Sequence, residues 1–158
     1  MDKELNKLLE NLRNYKDRLS IALKIADISI FEVDLKKQQF TYFDNSESIF
    51  DISGCDILTD VNKYSELPWI EYLAAISAYF THHEDTQFME DAFRCIIAGR
   101  SVSFEARLKA GDSAYKWCKV DVAPVMENEN PHKMIGIISD IHHMKKTHRL
   151  SGKLCVQR

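Results

Sequence analysis

The sequence predicts an α+β fold, an antiparallel sheet with helices packed against it and an amphipathic helix ahead of it. Three observations predict this. The run from Val102 to His143 divides into three extended segments joined by two turn-rich connections. Two shorter extended segments precede it, and between and before the strands apolar residues recur at helical spacing.

From Asp2 to Ala26 the apolar residues fall on a heptad grid: Leu5, Leu12, Leu19 and Ala26 are seven apart, and Leu8, Tyr15 and Ala22 lie three beyond the first three. Lys, Glu, Arg and Asn occupy most of the rest, so the helix carries a narrow apolar seam. A seam this narrow suits a second helix better than a broad sheet face, which predicts a two-helix pairing between two copies along Leu5, Leu8, Leu12, Tyr15 and Leu19. The alternative is a helix packed on its own domain.

Ile28–Leu35 places Ser29, Phe31, Val33 and Leu35 on one face and Ile28, Ile30, Glu32 and Asp34 on the other, as a strand does. Lys36, Lys37 and Gln38 form a polar turn into a second strand marked by Phe40, Tyr42 and Phe43, so the two strands form a hairpin. Residues 45–67 mix short apolar groups with turn residues and read as short helical turns. Pro68 opens a helix that buries the face of Trp69, Tyr72, Leu73, Ile76 and Phe80. Thr81 and Glu84 have the spacing of a capping box, and Phe88–Met89, Ala92–Phe93 and Ile96–Ile97 form the apolar stripe of a long helix stopped by Gly99. That helix is expected to lie across the sheet.

Val102, Phe104, Ala106 and Leu108 alternate with Ser103, Glu105, Arg107 and Lys109, the pattern of a strand with one buried face. After a turn at Gly111–Asp112, Cys118, Val120 and Val122 face inward while Trp117, Lys119 and Asp121 face out, where Trp117 is expected under a helix. Glu105 and Arg107 share a strand face and read as a solvated or cross-strand pair. A second polar turn, Glu127 to Pro131, leads into Met134–Ile138 and ends at Asp140, where a side-chain oxygen is placed to cap a following helix.

Composition narrows the function. A net charge of −3 with 28% charged residues gives no basic surplus, so nucleic acid is not an expected partner. No apolar run reaches the ~20 residues that span a bilayer, and the amino terminus lacks a signal-peptide pattern, so a cytoplasmic location is expected. Cys55, Cys95, Cys118 and Cys155 show no CxxC spacing and read as reduced thiols. No nucleophile–base pair, glycine-rich phosphate loop or spaced carboxylate pair emerges, so no catalytic residue is assigned and the chain does not read as an enzyme. His82, His83, Glu84 and Asp85 cluster, but neighbours in a helix point to different sides and cannot converge on one ion. A helix start with acidic residues explains Glu84 and Asp85, and no metal site is assigned. His142, His143 and His148 read as part of a solvated basic helix.

Several spaced motifs agree in order with one known family. Phe104-Glu105-Ala106-Arg107-Leu108, then Gly111, Tyr115-Lys116-Trp117, Gly136 and Asp140-Ile141 resemble the carboxyl-terminal half of a PAS domain of the subtype common in bacterial signalling proteins, and Thr81-His82-His83-Glu84-Asp85 resembles the motif that opens its long helix. His83 stands where that family usually has Pro, and His142 where it usually has Thr. The resemblance covers about 27–141. It implies a PAS-like five-stranded antiparallel sheet with helices on one face, the first hairpin flanking the last three strands. It divides the chain into an N-terminal dimerisation helix (1–26), the PAS domain (27–141) and an exit helix or linker (142–158) towards an output domain such as a diguanylate cyclase or histidine kinase.

A sensor of this kind would hold a small ligand or a partner in a pocket lined by Phe93, Ile97, Phe104, Ala106, Cys118, Val120 and Val122, and pass a change through Asp140 and Ile141. The cofactor is unknown. A haem sensor of this fold would want an imidazole on the long helix, whose stripe carries none, and a flavin photosensor would want an asparagine-cysteine-arginine motif that Ser53-Gly54-Cys55-Asp56 does not match. The alternative is a structural PAS domain, filled by its own Phe and Met side chains, that only dimerises.

Overall fold

The computed structural model describes residues 2–141 and 155–156. Its first element is helix α1 (Asp2–Ala26), joined to strand β1 (Ile28–Asp34) by the single residue Asp27, which takes a left-handed backbone at φ 54°. The β1–β2 turn is built by Asp34, whose Oδ1 accepts the backbone N–H of Lys36 and of Lys37, each over 3.0 Å. Strand β2 (Gln39–Asp44) follows.

The mixed stretch forms two short helices, α2 (Glu47–Phe50) and α3 (Gly54–Asn62). Ser53 caps α3 by accepting the Asp56 N–H over 3.2 Å. Asn62, the last residue of α3, grips β2: its Oδ1 accepts the Phe40 N–H over 2.8 Å and its Nδ2 donates to the Phe40 carbonyl over 2.9 Å. One amide side chain thus mimics a neighbouring strand at the edge of the sheet.

Helices α4 (Trp69–Phe80) and α5 (Thr86–Ile97) pack on each other, and α5 lies against β3, β4 and β5. Helix α5 ends in a Schellman turn: Arg100 N–H donates to Cys95 O and Gly99 N–H to Ile96 O, with Gly99 at φ +80°. The capping box at Thr81 does not form. Thr81 instead closes α4, its hydroxyl donating to Ser77 O, and α5 starts five residues later. The intervening turn is claimed by the sheet, where His82 N–H donates to Arg107 O over 3.0 Å and Thr81 bridges Leu108.

Strands β3 (Val102–Leu108), β4 (Lys116–Glu127) and β5 (Asn130–Asp140) complete the five-stranded antiparallel sheet, ordered β2-β1-β5-β4-β3. The β4–β5 hairpin is tighter than the sequence suggested. Asn128 and Glu129, both at positive φ, turn the chain in two residues, and β5 begins at Asn130. Gly136 sits opposite Phe31 in the β1–β5 register, and an added Cβ there would lie 2.2 Å from the Phe31 ring. The ring therefore occupies the place of the missing side chain.

A sixth, two-residue strand, β6 (Cys155–Val156), pairs antiparallel with Val102 and Ser103 at the β3 edge. The exit helix read over 142–158 falls mostly outside the described residues. At Cys155–Val156 the chain is extended rather than helical.

Candidate functional site

Between α5, α4 and the sheet lies an apolar cavity of about 30 Å³. Phe93, Phe104, Val120 and Val122, four of the residues the sequence pointed to, line it. Two corrections follow. Ile97 is 45% exposed and points away, because α5 turns its Met89, Ala92, Phe93 and Ile96 side to the sheet and the next residue rotates out of that face. Ala106 and Cys118 are fully buried and face each other across β3 and β4, yet neither borders the cavity.

The sequence reading allowed, as its alternative, a space filled by the domain's own Phe and Met side chains but did not name them. Phe31, Phe40 and Phe43 from the first hairpin and Phe80 from α4 stack around it, with ring centroids 5.7 Å apart for Phe40–Phe80 and 6.0 Å for Phe43–Phe80. The signal was present as three phenylalanines, Phe31, Phe40 and Phe43, among the inward positions of the hairpin. Every lining side chain is hydrocarbon or thioether, so the cavity offers a guest no side-chain hydrogen bond. The residues present do not fit a flavin or haem. Either would need several phenylalanines to leave, and Cys55 is exposed on α3 rather than directed into the cavity. Burial pushes the Cys118 thiol up to about 12, which keeps it protonated.

A second feature links the α4–α5 turn to the sheet. Asp85, only 5% exposed, accepts three hydrogen bonds from Arg107: from the backbone N–H (2.8 Å), from Nε (2.9 Å) and from Nη2 (2.8 Å). Arg107 Nη2 also reaches Glu84 Oε2 at 3.2 Å. Arg107 is therefore not simply the solvated or cross-strand partner of Glu105 that strand alternation suggested. Its guanidinium is drawn off along the edge by a carboxylate 22 residues away in sequence. Asp85 stands at the start of α5 but makes no side-chain cap bond, having spent its oxygens on Arg107. Burial alone would raise its carboxyl, but the hydrogen bonds and charge of Arg107 outweigh it and hold Asp85 below the usual carboxylate range. The same contacts push Arg107 upward.

On the outer face, the Arg107 guanidinium lies 5.4 Å from the centre of the Trp117 ring. Trp117 is half-buried, and its carbonyl accepts the Ile141 N–H over 2.9 Å. Asp140 ends β5 opposite Cys118, with its carboxylate 3.8 Å from Lys116 Nζ. The helix that Asp140 was expected to cap lies outside the described residues. Among the described residues no group of three or more His, Cys, Asp or Glu is placed to hold a metal ion, and no helix is long and apolar enough to cross a membrane.

Along α1, Leu5, Leu8, Leu12, Tyr15 and Leu19 are all exposed, Leu12 at 64% and Tyr15 at 68%. Leu23 is the one buried residue of the helix, so α1 touches its own domain near its carboxyl end and the seam runs free of it.

No family model and no curated protein matches the sequence. Solved structures match the fold. The N-terminal domain of a diguanylate cyclase with PAS/PAC sensor from Marinobacter aquaeolei is 15% identical at TM-score 0.55, over 74% of this chain and 97% of that one. A sensory box histidine kinase/response regulator from Burkholderia thailandensis is 17% identical at TM-score 0.53, over 84% and 90%. An RNA-binding light-oxygen-voltage receptor is 16% identical at TM-score 0.53 over 74% of this chain, which spans 30% of that receptor's length. The chain has the PAS fold.

Proposed function

We propose that this chain is a regulatory PAS module that joins two copies through α1 and relays a change in its sheet to the segment leaving β5. The row of exposed Leu5, Leu8, Leu12, Tyr15 and Leu19 carries this reading. Five large apolar side chains on one helical face, with polar flanks, lose their contact with water when an identical helix lies against them. The single-residue link at Asp27 and the burial of Leu23 tie α1 to β1, so a change in how two helices pair is felt by the sheet.

The interior supports a narrow version of ligand sensing. A wholly apolar space of about 30 Å³ suits a small uncharged guest, and a larger one enters only if the phenylalanines rearrange. Asp140 and Ile141 are the proposed coupling residues, since the Ile141–Trp117 hydrogen bond fixes the point where the chain leaves the sheet. The fold neighbours include a domain of a diguanylate cyclase and a histidine kinase, which supports an output of that kind, and a cytoplasmic setting is part of the same proposal.

Sedimentation equilibrium tests the pairing. The unaltered chain is expected to be dimeric, and Leu12→Asp monomeric with unchanged circular dichroism. A parent chain that is monomeric at all concentrations, or a variant as dimeric as its parent, would refute it.

A further inference from the structure

His82 and His83, in the turn between α4 and α5, stack with ring centroids 4.2 Å apart and planes inclined by 27°. The backbone N–H of Glu84 donates to His82 Nδ1 over 3.1 Å. A peptide nitrogen has a proton to give and no lone pair with which to accept, so this hydrogen bond requires an Nδ1 that carries no proton. The arrangement therefore depends on protonation state.

Charged and titratable groups face this pair from every side. On the turn itself, Glu84 Oε1 lies 3.9 Å from His83 Nε2, and the Asp85 carboxylate is near enough to feel charge on His82. From β3, Arg107 holds both Glu84 and Asp85. From the β3–β4 connection, the Tyr115 ring lies 4.8 Å from that of His82 and also carries Lys109 Nζ at 5.9 Å.

We propose that His82 and His83 form a proton-binding site that switches the 82–85 turn between two conformations and so sets how firmly Asp85 holds β3. A proton added at His82 Nδ1 turns that atom from acceptor to donor, and the Glu84 N–H loses its partner. The ring must then turn, and the nearby carboxylates of the turn, Glu84 and Asp85, are both engaged by Arg107. Charged His82 competes with Arg107 for them. Charging both rings would set like charges at stacking distance, so the rings separate. Release of Arg107 uncovers the ring of Trp117, a residue of β4 whose backbone carbonyl accepts the Ile141 N–H. Imidazole is the side chain that ordinarily changes charge between about pH 5 and 8. It is independent of pairing through α1.

Amide and side-chain NMR of the full chain, taken from about pH 8 to about pH 5, tests the proposal. The Glu84 amide and Arg107 Nε–H signals are expected to shift together with the His82 ring resonances along one titration curve. In His82→Asn, which keeps an oxygen acceptor but binds no proton, both signals should move far less than in the unaltered chain. Glu84 and Arg107 signals that hold still as His82 titrates in the unaltered chain, or that move equally in His82→Asn, would overturn the switch. The unaltered chain decides the matter even where the variant fails to fold.

Discussion

The Asp85 carboxylate stands in for a neighbouring strand at the edge of β3, accepting the Arg107 backbone N–H over 2.8 Å while its two oxygens also take the guanidinium. Backbone and side chain of one residue are thus satisfied by one buried acid. Asp85→Ala strips both at once and leaves Arg107 part-buried without this partner. The expected loss is about 3 kcal/mol of unfolding free energy at neutral pH, read by urea denaturation.

The same pair fixes an acid limb. A carboxyl whose folded pKa lies below its unfolded value contributes stability above the unfolded value and loses it as pH falls through the folded one. For Asp85 the lowered carboxyl therefore stabilises the fold above about pH 4, and the contribution fades below it. Urea midpoints measured at pH 7 and pH 3 should fall less in Asp85→Asn than in the parent.

Gly136 is required by the ring of Phe31, which an added methyl would meet at 2.2 Å. Gly136→Ala should lower stability by about 2 kcal/mol by forcing Phe31 off its place, and a thermal melt checks it.

The orientation of α5 separates two adjacent isoleucines. Ile96→Ala is expected to cost about 3 kcal/mol, since it empties a fully buried site beside the cavity. Ile97→Ala should stay within about 0.5 kcal/mol. Equal costs in paired denaturation curves would place the face of α5 wrongly.

Asn62 closes the β2 edge with two hydrogen bonds to Phe40. Asn62→Ala should cost about 2 kcal/mol and expose a strand edge, so light scattering on heating should begin at a lower temperature than in the parent.

Strand alternation was legible because it is local. Phe104, Val120 and Val122 show their inward face within a few residues of themselves, and the heptad on α1 does the same. Ile97 was misplaced because two isoleucines in a row fit a stripe centred on either, and only the crossing of α5 over the sheet chooses between them. The partner of Arg107 was hidden for a different reason. Alternation puts it on a face beside Glu105, while its bond to Asp85 depends on where a turn 22 residues earlier is folded back. The filling of the interior by Phe31, Phe40, Phe43 and Phe80 depends on how hairpin and helices converge, which no single segment records.

Ile28, the first residue after the Asp27 joint, stands directly across from Ser139, two residues before Ile141. The way into this domain and the way out of it are adjacent threads of one fabric, separated by about 5 Å between facing Cα atoms. In the proposed relay, a torque applied at the incoming helix would have no long path to travel: it would arrive at the departing segment across a single rung.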